Sequence, residues 1–182
     1  MLFSRRQFLT AGLAAGAALA AVRLVHGPFG EGNAAAPAAG FAFLGNDEHV
    51  ILGAIAPVVL AGALPAAGAE RTAALDRTVR AVDAAIAGFL PAVQEEVHEL
   101  FALLAFAPAR RFLAGVSRPW AEADPVSVAA FLEGWRNSRF ALLRSAYSAL
   151  RQLILAAWYG QTEAWGAIGY GGPPALDTAE RS

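Results

Sequence analysis

The sequence predicts an all-α protein: an up-and-down bundle of four to five helices, behind an N-terminal export signal and ahead of an irregular aromatic C-terminal tail. Three observations carry this. Apolar residues recur at alternating steps of three and four along several long stretches. No strand-length run of apolar and polar alternation occurs, and β-branched residues are sparse. About a quarter of the 182 residues are alanine, the best helix former. That length suits one domain plus a targeting segment, so the chain divides into residues 1–36 (signal and linker), 37–160 (bundle) and 161–182 (tail).

The first segment reads as an address. Ser4-Arg5-Arg6-Gln7-Phe8-Leu9 places two adjacent arginines before x-Phe-Leu, the pattern of a twin-arginine export signal, with Arg5, Arg6, Phe8 and Leu9 as its key positions. An Ala/Gly-rich apolar run follows over residues 9–22. As a helix it would rise about 21 Å, short of the roughly 30 Å hydrocarbon core, which argues against a permanent span. A Gly/Ala/Pro linker without periodicity comes next, with a candidate cleavage site at Ala34-x-Ala36.

Within the body, Asp47 is a candidate N-cap for a helix carrying Ile51, Leu52, Ile55, Val58 and Val59, which Pro57 kinks or ends. A second helix shows the stripe Leu75, Val79, Val82, Ile86 and Phe89, with Asp76, Arg77, Arg80 and Asp83 assigned to its other side. Pro91 suits the first position of a third, with Val93, Val97, Leu100 and Leu104 as its stripe. Residues 107–115 read as a short helix and turn, and residues 117–120 as loop. Asp124-Pro125 is an N-cap followed by an N1 proline, opening a helix with Val128, Phe131, Leu132 and Trp135. From Ser138 on, two apolar stripes cover about half the circumference, which predicts the central, most buried helix.

Composition excludes several chemistries. Without cysteine there are no disulfides, thiolate zinc sites, cysteine-ligated clusters or thiol nucleophile. All 14 basic residues are arginine, so Schiff-base lysine chemistry and a lysine-bearing phosphate loop are also excluded. A net charge of -1 provides no global field for nucleic acid.

Among residues that could act chemically, Glu95 and His98 form Glu-x-x-His, half of the ligand set of ferritin-like metal bundles. Helical projection puts Glu95 opposite the Val93/Val97/Leu100/Leu104 stripe and His98 well round from its centre, facing solvent or a partner. No G-x-S-x-G or G-x-G-x-x-G occurs, and no independent catalytic site is expected. Arg136, Arg139, Arg144 and Arg151 form a row beside Trp135, Tyr147 and Trp158. This fits either a protein interface or internal pairing with Glu95, Glu96 and Glu99. The tail runs Trp158-Tyr159 to Trp165-x-x-Ile168-Gly169-Tyr170-x-Gly172-Pro173, with Thr162 able to cap a short helix. It either folds back over the bundle's end or docks to a partner.

The Ser4-Arg5-Arg6-x-Phe8-Leu9 start, the helical body and above all this tail resemble the small subunits of the gluconate 2-dehydrogenase subunit 3 type. Those accompany membrane-bound flavin dehydrogenases of the glucose–methanol–choline class. The resemblance implies a non-catalytic, periplasmic escort with no cofactor of its own. Its leader carries a folded, FAD-bearing catalytic subunit through the twin-arginine export machinery, and a cytochrome c subunit joins the complex at the inner membrane. Trp158, Tyr159, Trp165, Ile168, Gly169, Tyr170, Gly172 and Pro173 are then the candidate partner-binding residues. Two other readings stay open beside it: a ferritin-like metal-binding bundle built on Glu95 and His98, and a stand-alone secreted helical protein binding an apolar ligand or a membrane surface.

Overall fold

The computed structural model describes residues 36–172. The twin-arginine positions Arg5, Arg6, Phe8 and Leu9, the cleavage site up to Ala35, and Pro173 lie outside the described residues. Seven helices follow a short N-terminal strap, and no strand occurs among the described residues. They are α1 Asn46–Val59, α2 Ala69–Ala87, α3 Pro91–Ala105, α4 Ala107–Phe112, α5 Pro125–Arg136, α6 Ala141–Tyr159 and α7 Thr162–Trp165. Two 3-10 turns, Trp120–Glu122 and Gly166–Ile168, complete the path. The all-α expectation holds, with five longer helices and two short ones.

The central helix is α1 rather than α6. It touches α2, α3, α5, α6 and the Trp120 turn, and Ile51, Leu52, Ile55 and Ala56 are buried on it. Its buried face combines the branched Ile51, Leu52 and Ile55 with the small Ala56. On α6, by contrast, Leu150, Ile154, Ala157 and Trp158 are buried toward the C-terminal end, while Leu142 at the start is 63% exposed. Two apolar stripes are therefore not enough to make a helix central, because half of each can face outward.

Local chemistry sets the helix ends. The N-cap of α1 is Gly45 and not Asp47, because Glu48 reaches back to accept the Gly45 N–H at 2.7 Å. Pro57 sits in the last turn, and α1 runs two residues past it. At α5 the reading is borne out: Asp124 is the N-cap, accepting from the Ser127 N–H at 2.9 Å, and Pro125 takes N1. Val128, Phe131, Leu132 and Trp135 are all buried there.

Residues 117–119 are loop as expected, but Trp120 opens a 3-10 turn, is buried and donates its indole N–H to the Leu104 carbonyl at 2.8 Å. Leu104 lies in the last turn of α3, where carbonyls lack helical donors, so the indole satisfies an otherwise orphaned acceptor. Trp120, Phe131 and Trp135 then stack edge-on in sequence, at centroid distances of 5.8 and 4.7 Å. Trp135 caps the next loop by donating to the Leu113 carbonyl at 3.0 Å.

Candidate partner-binding surfaces

Asp83 decides how the chain enters the fold. Assigned from sequence to the outer face of α2, it is instead buried, 5% exposed. Its Oδ1 accepts from the Phe43 and Leu44 N–H groups and its Oδ2 from Ala42, each at 2.8 Å. Three successive amides thus converge on one carboxylate, so the strap wraps a charge that would otherwise be costly to bury. Asp83 falls between Val79 and Ile86 at steps of four and three, which puts it on the apolar stripe. A lone acid in that register was the available signal.

The same strap closes over α3. Phe43 stacks on the His98 ring at 4.0 Å, and His98 Nδ1 lies 2.7 Å from Glu48 Oε1. An ionised carboxylate only accepts, so Nδ1–H donates to Glu48. Glu48 consequently ties two elements together: one oxygen caps α1, and the other holds His98 on α3. The expectation of a solvated or partner-facing His98 is corrected, because the buried side of α3 is turned toward Phe101 and Leu104, which brings His98 to the flank under the strap. Val93, counted in the predicted stripe, is 38% exposed for the same reason.

Arg80 holds the strap's outer edge. It donates to the Gly40 carbonyl at 3.2 Å and lies 5.2 Å from the centroid of the Phe41 ring. The hydrogen bond to Asp76 raises its guanidinium above the ordinary arginine value, so its charge is fixed. Glu95 is exposed on the far side of α3. Among the described residues, no three histidine, aspartate or glutamate side chains gather in a group that could hold a metal ion.

The tail folds on itself around Trp165. Its indole N–H donates to the Tyr159 carbonyl at 2.8 Å, its carbonyl accepts the Tyr170 N–H at 3.0 Å, and its ring meets Tyr170 edge-on at 5.2 Å. Gly169 and Gly172 turn the chain at φ of 69° and 97°. At Gly172 a Cβ would also come within 3.3 Å of the Trp165 ring. Thr162 opens α7 but does not cap it; Gln161 holds the N-cap position. Of the candidate partner-binding residues, Tyr159, Ile168 and Tyr170 present 38%, 55% and 48% of their surface. Trp158 is turned into the core and is corrected from that set; it lies on the inner side of α6 with Ile154 and Ala157.

The arginine row is likewise redistributed. Trp135 and Trp158 beside it are core, and Arg136 pairs with Glu133 at 3.4 Å rather than with the acids of α3. Arg144 donates to the Ser138 carbonyl at 2.7 Å, and Arg139 covers the Phe140 ring at 4.8 Å. Arg136 and Arg151 line an open cleft of about 390 Å³ with Tyr147, Ser148 and Gln152. No helix among the described residues is long and apolar enough to cross a membrane. No known protein family, curated protein or solved structure matches the chain.

Proposed function

We propose that the chain is the non-catalytic small subunit of a periplasmic flavin-dependent dehydrogenase, escorting its folded catalytic partner through the twin-arginine route and then staying bound to it. The carrying observation is one of sequence: the twin-arginine pattern Arg5-Arg6-x-Phe8-Leu9 precedes a helical body followed by Trp165-x-x-Ile168-Gly169-Tyr170-x-Gly172-Pro173. The twin-arginine route serves proteins that fold before export, often around a cofactor. This chain has no cysteine, lysine or glycine-rich phosphate motif with which to hold one, so the FAD is assigned to the partner and the haem to a cytochrome c subunit. The placement of Tyr159, Ile168 and Tyr170 on the surface supports the tail as the docking element.

The test is co-expression with a leaderless flavin subunit of the glucose–methanol–choline class. Changing Arg5 and Arg6 to alanine is expected to cut that subunit's periplasmic fraction at least tenfold. Unchanged export would refute the escort role. Deleting residues 165–174 is expected to weaken co-purification while the bundle stays folded, and an undiminished complex would remove the tail from the interface.

A further inference from the structure

We infer that the cleft between α5 and the middle of α6 receives carboxylate side chains of a partner protein, and that it forms one docking face with the tail. The choice of partner rests on the proposed subunit role; the chemistry of the cleft does not. Its lining is two guanidinium groups, two hydroxyls and one carboxamide, and no carboxylate contributes to it. Arg136 is held only by an exposed contact to Glu133 at 3.4 Å, the kind of pair that a better acceptor displaces at little loss. The side chain of Arg151 makes no ion pair or hydrogen bond among the described residues. An unpaired arginine fork beside hydroxyl donors matches the planar, bidentate geometry of a carboxylate.

The position of the cleft favours a protein over a free anion. On α6, Tyr147, Ser148, Arg151 and Gln152 are at i, i+1, i+4 and i+5 and so share one side. Ser148, Gln152 and Tyr159 fall within about 40° of one another, opposite the buried Leu150, Ile154 and Ala157. The polar cleft therefore leads along one helix face to Tyr159, whose carbonyl anchors Trp165 and with it the exposed Ile168 and Tyr170. A small anion in an open cleft this wide would stay hydrated and screened. Acidic side chains on a docked surface would be desolvated by the aromatic contacts beside them, the usual make-up of an interface core with arginine and tyrosine at its strongest points. With a net charge of -1, attraction to an acidic partner must come from such a local patch.

The test has two arms on the full chain. Titrated with a hexaglutamate peptide and followed by NMR, the amides of residues 147–152 and the side-chain N–H groups of Arg136 and Arg151 should shift. The affinity should fall at least fivefold in Arg151→Glu and be unchanged in Arg118→Glu, an exposed loop arginine that does not line the cleft. Against the flavin subunit, Arg136→Glu and Arg151→Glu should each raise the Kd at least tenfold and Arg118→Glu should not. Absence of peptide shifts at the cleft overturns the inference, as does acetate or inorganic phosphate binding there as tightly as the peptide. A chain that takes the peptide at the cleft but ignores the flavin subunit supports the acid-receiving cleft and sinks the subunit role. Circular dichroism of each variant excludes unfolding as the cause.

Discussion

Asp83 and His98 show how a polar side chain gains a structural role by what it faces. Asp83→Ala leaves the Ala42, Phe43 and Leu44 N–H groups without their acceptor beneath the strap. Breaking a buried, multiply bonded charge of this kind should destabilise the fold by about 3–5 kcal/mol, read from urea denaturation. Amide exchange at Phe43 and Leu44 should accelerate first, because those protons lose their acceptor directly. His98→Ala removes a ring stack and one hydrogen bond, and should cost about 1–2 kcal/mol. If metal ligation were the histidine's task, the same change would abolish metal binding and leave stability nearly untouched.

Among the elements, α5 carries a pH dependence whose sign is fixed by its cap. The Ser127 hydroxyl, and after it the Ser127 N–H, hold the Asp124 carboxyl below its ordinary value. A depressed folded-state pKa means that the cap's contribution is complete above the ordinary carboxylate range and is lost as pH falls through the folded value. The Ser127 amide resonance should follow that titration, and Asp124→Asn should remove it. The tail turn is governed by sterics instead. Gly172→Ala forces a Cβ against the Trp165 ring at a backbone angle of 97°, and should loosen the Tyr170 packing at a cost of about 1–2 kcal/mol within the turn. The expected readout is faster exchange of the Tyr170 amide, with α1 unaffected.

For the whole molecule, the strap that precedes α1 is fastened to the core. Phe43 and Leu44 are 7% and 0% exposed, and each such side chain contributes about 1.5–3 kcal/mol by leaving water. A chain beginning at Asn46 should therefore be less stable than one beginning at Ala36 by about 3–6 kcal/mol, measurable as a fall in Tm. Proteolysis before Ala36 would leave the strap intact, whereas cleavage after Leu44 would not.

The class of the fold was legible because helix periodicity is a local property: α2, α3 and α5 begin and end close to where their stripes, prolines and caps put them. The Asp124-Pro125 start was readable for the same reason, since an N-cap acts within four residues. The side of each helix that is buried was less legible. Val93 and Phe101 lie on adjoining faces of α3, and a packing partner distant in sequence chose Phe101. That choice moved His98 from an expected solvated face to a site beneath the strap. For Asp83, the three amides that satisfy it come from about forty residues upstream, so no window of sequence contained both donor and acceptor. The tail's aromatic and glycine pattern was evident from the residues alone. Tertiary structure decided that Trp158 belongs to the core and Tyr159 to the surface, because adjacent helix positions are about 100° apart and only the packing of α6 against α2 and α5 selects between them.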